Sequence, residues 1–70
     1  MEMFTIKDPK SYLREGASKN KRVIAKPPVG TKVNITKEKL NSAGNKWLKG
    51  SLEINETKFT GWIVATSLTY

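Results

Sequence analysis

The chain offers few groups able to make or break a covalent bond. It has no cysteine and no histidine, which excludes disulfides, zinc–thiolate sites, thiol nucleophiles and His-based triads. Its acids are Glu2, Asp8, Glu15, Glu38, Glu53 and Glu56. No two of them stand in a recognised motif, and Glu53 and Glu56 flank a hairpin turn where solvated charge is expected. Glycoside hydrolysis needs two carboxylates across a deep cleft, and a chain of 70 residues rarely encloses one. There is no glycine-rich phosphate loop and no metal-ligand cluster in the sequence. The expectation is a protein without catalysis, cofactor or metal.

What remains is the chemistry of binding. Trp47 and Trp62 fall on strand faces opposite the apolar ones. An outward tryptophan offers a peptide or sugar a large flat surface. Alternatively, each packs across its sheet against lysine stems or loops. Trp47 also opens its strand directly after a loop, so its ring is expected at the edge of a groove, removable with little damage to the core. Tyr12 and Tyr70 join this surface if the N-terminal loop and the C-terminal strand meet; otherwise Tyr70 is a frayed end. Arg14 and Glu15 can read a peptide terminus or carboxylate through charge-assisted hydrogen bonds, or they pair locally and hold a loop. Tyr12, Arg14, Glu15, Trp47, Trp62 and Tyr70 are therefore the candidate ligand-binding residues.

Thirteen Lys and Arg against six Asp and Glu leave a net charge of +7, and almost all the cations are Lys. That balance favours nucleic acid, acidic lipid or an acidic polymer such as a bacterial cell wall. It also suits a merely solubilising surface. Lys19, Lys21 and Arg22 form one cluster, echoed by Lys37, Lys39, Lys46 and Lys49. Nucleic-acid binding needs such cations interleaved with exposed aromatics on one face. Trp47 beside Lys46 and Lys49 meets half of that requirement; a solvated lysine rim is the simpler reading.

Short strands must position these residues. Met3–Ile6 suits a first strand, ended by Asp8-Pro9 because proline removes a ladder donor. A brief extended piece near Leu13 turns at Gly16. Arg22–Lys26 reads as a strand with Val23 and Ala25 on one face, and Pro27-Pro28 forces a loop. Thr31–Lys37 alternates most clearly, with Val33 and Ile35 inward and Lys32, Asn34 and Thr36 outward. Leu40–Asn45 is dense in turn formers. Lys46–Ile54 alternates again, with Leu48, Gly50, Leu52 and Ile54 on one face and Trp47, Lys49, Ser51 and Glu53 on the other. Asn55-Glu56-Thr57 turns into the strand Lys58–Val64. There Gly61 marks a bulge or a close backbone approach. Ala65-Thr66-Ser67 fits one 3₁₀ turn before a closing strand from Leu68. No segment keeps a helical period. The expected core is Val23, Val33, Ile35, Leu48, Leu52, Phe59, Ile63 and Leu68. The fold class is all-β, one small domain over residues 1–70.

Five motifs in this order resemble the bacterial SH3 family. Leu13-Arg14-Glu15-Gly16-Ala17-Ser18 matches its N-terminal motif, with Ala17 where proline is common. Val23-Ile24-Ala25 follows as a strand, and Gly30-Thr31-Lys32-Val33-Asn34-Ile35 matches a Gly-x-x-Val-x-Ile segment. Trp47-Leu48-Lys49-Gly50 opens the central strand, and Gly61-Trp62-Ile63 with Leu68 closes the pattern. The match runs from about Tyr12 to Leu68. Gly50 departs from it, standing where a core aliphatic is usual and leaving an expected hole for Leu52 or Ile54 to fill. The hairpin from Trp47 to Gly61 is also longer than typical.

The resemblance implies an SH3-like barrel of five to six short antiparallel strands with one 3₁₀ turn. It also implies a role in tethering a parent protein to cell-wall peptidoglycan or its peptides. The other readings are a protein–protein interaction module of a bacterial assembly and a basic nucleic-acid-binding barrel. Only Tyr12 stands where relatives that read proline-rich peptides carry a Tyr-rich motif, so that mode is not expected. No apolar run approaches the ~18 residues of a membrane span, and Met1–Thr5 lacks the basic-then-apolar order of a signal peptide. The expected location is extracellular or cell wall as part of a larger secreted protein, or cytoplasmic if the chain is complete.

Overall fold

The computed structural model describes residues 2–70; Met1 lies outside them. Seven strands form one antiparallel sheet: β1 (Glu2–Ile6), β2 (Leu13–Arg14), β3 (Val23–Ala25), β4 (Lys32–Leu40), β5 (Lys46–Ile54), β6 (Thr57–Val64) and β7 (Leu68–Thr69). A single 3₁₀ turn, Ala65–Ser67, separates β6 from β7. The sheet order is β3-β2-β6-β5-β4-β1-β7. The all-β class, the antiparallel pairing and the 3₁₀ turn are as expected. The strand count is seven rather than five to six, and the end strands β3 and β7 do not pair. The molecule is a rolled open sheet rather than a closed barrel. No helix among the described residues is long and apolar enough to cross a membrane.

The ribbon of β5 and β6 is the backbone of the sheet. Its register runs without a slip from Trp47 opposite Val64 to Ile54 opposite Thr57. The two residues between the strands, Asn55 and Glu56, both have positive φ, at 51° and 66°. That is the sense of a type I′ turn, whose twist matches the strands it joins. The longer hairpin therefore needs no irregularity at its tip.

One face of this ribbon carries the core. Leu48 stands opposite Ile63, Gly50 opposite Gly61 and Leu52 opposite Phe59. Val33 and Ile35 of β4 add to it, as do Ile6, Leu13 and Leu68 from the three short strands. Six of the eight expected core residues are buried here. Phe59 packs against the cluster half-buried, while Val23 is half-buried and outside it. From β3 it is Ala25 that packs against the cluster, and the Ile24 Cδ1 comes within 3.1 Å of where a Cβ on Gly61 would stand.

The paired glycines explain how a sheet rolls over its own face. A Cβ on Gly50 would sit 2.4 Å from the Asn34 carbonyl oxygen, and one on Gly61 would sit 2.6 Å from that of Arg14. Both distances are impossible for a side chain, so only glycine admits these approaches. The hole expected at Gly50 does not exist; the backbone and side chain of β4 fill it. The close approach expected at Gly61 is present.

A β-bulge interrupts β4. The pairing passes from Ile35 opposite Gly50 directly to Lys37 opposite Lys49, leaving Thr36 extra. Strand side chains alternate, so one extra residue exchanges the faces beyond it. Before the bulge Val33 and Ile35 point to the core. After it, Lys37 and Lys39 point to the opposite face, and Glu38 and Leu40 take the parity of the core face.

Candidate functional site

The face of the β5–β6 ribbon opposite the core holds both tryptophans. Trp47 is paired with Val64 and Lys39, and Trp62 with Lys49 and Arg14. The face expected for each is the observed one. The exposure expected for Trp47 is not: the residue is 2% exposed. It stands apart from the main core cluster and is sealed separately. Around it lie residues of the segment Asp8–Lys19, Asn45 at the end of the β4–β5 loop, and the 3₁₀ turn. The Asn41 side-chain amide donates to the Ala17 carbonyl at 3.2 Å, tying that loop to the N-terminal segment. Trp47 therefore lies beneath the groove and not at its edge.

The result is a cleft of about 480 Å³. Tyr12 and Arg14 wall it together with Trp47, Val64 and the 3₁₀ turn. Tyr12 and Arg14 are two apart on an extended segment, so they lie on one side of it. The Arg14 guanidinium lies over the Tyr12 ring, 5.3 Å from its centroid, and donates to the Lys21 carbonyl at 2.9 Å. These contacts fix both side chains. Lys10, Lys19 and Lys46 surround the opening, and Asp8 is its one carboxylate. The Asp8 carboxylate already accepts from the Lys10 backbone N–H at 2.9 Å. The field in the cleft is thus positive. The indole N–H of Trp47 is buried with no acceptor among the described residues. A buried donor in that state costs about 1–3 kcal/mol.

The other candidates lie elsewhere. Glu15 does not line the cleft. Its carboxylate pairs with Arg22 at 2.7 Å, and its backbone N–H donates to the Arg22 carbonyl, so the pair clasps the ends of the Gly16–Lys21 loop. The Arg22 hydrogen bond and charge hold the Glu15 carboxyl below its ordinary range, and Glu15 raises Arg22 in return. Trp62 is half-buried in the sheet row beside Arg14 and lies outside the cleft.

Tyr70 is 82% exposed but not frayed. Its ring stacks on Phe4 at 4.5 Å, and its hydroxyl donates to the Glu2 carboxylate at 3.0 Å. That bond and the negative charge raise the Tyr70 phenol above its ordinary range. Tyr70 lines a second, shallower cleft with Glu2, Phe4, Glu38 and Leu48, which shares Lys46 and Ala65 with the first. The structure thus brings Tyr12, Arg14 and Trp47 together, places Tyr70 in the adjoining cleft, and leaves Glu15 and Trp62 outside both. Lys10 and the 3₁₀ turn belong to the cleft without having been expected there. No sequence motif marks them, because chain folding alone brings them in.

Among known proteins, no family model, no curated sequence and no solved structure matches the chain.

Proposed function

We propose that this protein is a non-catalytic binding module that attaches a parent protein to the bacterial cell wall by holding a wall peptide in the Tyr12–Arg14–Trp47 cleft. The observation that carries this reading is the convergence of those three residues in one positive cleft. Tyr12 offers an apolar face beside a fixed guanidinium, which suits a short peptide ending in a carboxylate. The motif order from Leu13 to Leu68 supplies the cell-wall setting through its resemblance to bacterial SH3 domains.

Co-sedimentation with purified insoluble peptidoglycan tests this. The parent protein is expected in the pellet, and Tyr12→Ala and Arg14→Gln are expected to reduce the bound fraction at least tenfold while melting near the parent temperature. Tenfold is the scale of a modest hot spot, about 1.4 kcal/mol. A parent protein that stays in the supernatant, or variants that pellet equally well, would overturn the assignment.

A further inference from the structure

A second surface lies on the outer face of the sheet, next to the cleft and bordering its Arg14 and Trp47. The bulge at Thr36 creates it. Without the extra residue, Lys37 and Lys39 would continue on the core parity of Val33 and Ile35. With it, Lys37 stands directly opposite Lys49, and Lys39 opposite Trp47, on the outer face. Glu38 takes the other face, where it meets Lys46 at 3.9 Å. The alternation therefore sorts the charges of β4 and leaves Lys37, Lys39 and Lys49 together. None of the three has an ion-pair partner among the described residues. Glu53, further along β5 on that face, stands opposite Lys58.

Like charges directly opposite on neighbouring strands are destabilising. Lys37 also lines the adjoining cleft with Glu2 and Glu38, but no carboxylate among the described residues is within ion-pair distance of it, so the lysines are left open to an anion. The same cross-strand row continues from Lys49 to Trp62 and on to Arg14. Across four strands the row thus reads Lys37, Lys49, Trp62, Arg14, with the half-buried indole standing between cations. Of the large exposed hydrophobics among the described residues only Met3 shares this face, opposite Asn34 at its far edge; Val29 lies in a loop, Tyr70 at the C-terminus, and Leu40 on the opposite parity of β4. A membrane surface would need such groups to insert. A flat ring in line with a row of cations fits a chain that carries both phosphates and planar bases.

We infer that the Lys37–Lys49–Trp62 row, flanked by Lys39, binds single-stranded nucleic acid, with the lysines on its phosphates and Trp62 against a base.

The test uses a labelled oligothymidylate of roughly ten nucleotides, within the range of site sizes of small single-strand-binding domains, titrated with the full chain at several salt concentrations. Three neutralised phosphates on a single strand predict a slope of log K against log salt of about −2. Lys37→Gln with Lys49→Gln should lower affinity at least tenfold and bring the slope to about −0.7. Their melting temperature should not fall, since the change relieves a repulsion. Trp62→Leu should weaken oligothymidylate binding while leaving the slope unchanged. Lys37→Glu, which places a carboxylate opposite Lys49, should abolish binding without unfolding an exposed site. Inorganic polyphosphate is the control. If it competes as well as the oligonucleotide and Trp62→Leu has no effect, the surface reads charge alone and the assignment is overturned. Absence of binding at low salt, or unchanged binding by the double lysine variant, overturns it as well.

Discussion

Leu48 and Trp47 are neighbours in sequence, point to opposite faces of β5, and are both buried. Their seals differ in kind. Leu48 is closed over by strands: β4, β6 and the short β1, β2 and β7 roll around it through close approaches at Gly50 and Gly61. Trp47 lies outside that cluster, at a cleft lined largely by residues of the Asp8–Lys19 segment and the 3₁₀ turn, with the bond from Asn41 to Ala17 tying that segment to the β4–β5 loop. Regular structure seals one face and irregular structure the other. Equal burial therefore does not mean equal rigidity. The inner face is a fixed core, and on the outer face only the Trp47 end is buried, beside the cleft, while Lys37 and Lys39 stay exposed.

The largest effects should come from removing the two side chains. Trp47→Ala should cost about 3–5 kcal/mol, and Leu48→Ala about 2–5 kcal/mol, both read by urea denaturation. A loss near 1 kcal/mol at Trp47 would show that the loop seal contributes little and would break the equivalence in burial. A smaller effect should sharpen the distinction. Asn41→Ala removes the hydrogen bond to Ala17 and the two that the Asn41 side-chain oxygen accepts from the Ala43 and Asn45 N–H groups, at a cost of about 0.5–1.5 kcal/mol for each bond. It should loosen only the outer seal, seen as a red shift of tryptophan emission and faster amide exchange in residues 16–20. Equal loosening around Leu48 would mean that the two faces are not independently closed.

The smallest effect concerns the adjoining cleft. The Tyr70 phenol is raised by its bond to the Glu2 carboxylate. The group's folded value lies above its unfolded one. Its contribution to stability is therefore complete below the ordinary tyrosine range near about 10 and lost as pH rises through the folded value. Glu2→Gln should move the Tyr70 titration back toward the ordinary range, followed by phenolate absorbance against a Tyr70→Phe reference. An unchanged titration would show that Tyr70 is not held there in solution.

The same contrast explains what could be read from the sequence. Strict alternation in Lys46–Ile54 and Lys58–Val64 was enough to place Leu48, Leu52 and Ile63 inward and both tryptophans outward, since both strands are long and regular. Ile6 and Leu13 escaped notice as core residues. They sit at strand ends or in a two-residue strand, where no period can be counted. The exposure of Trp47 was misread because the residues that cover it are distant in sequence, and alternation reports a face, not what lies over it. The bulge at Thr36 left no mark either: Thr36 continues an alternating pattern, and only pairing with β5 reveals the shift. Of the candidate site, Tyr12, Arg14 and Trp47 were legible as chemistry, but their meeting in one cleft was not.

The pairing of β1 with β7 has a consequence for chain architecture. Thr5 lies opposite Thr69 and Ile6 opposite Leu68, and the Tyr70 ring rests on Phe4. The first and last strands therefore run side by side in opposite directions, and the chain enters and leaves the fold at the same end. Any polypeptide continuing from either side would do so from neighbouring points. Placed within a longer chain, such a unit would hang as a pendant rather than span it as a link, adding almost no separation between the segments on either side.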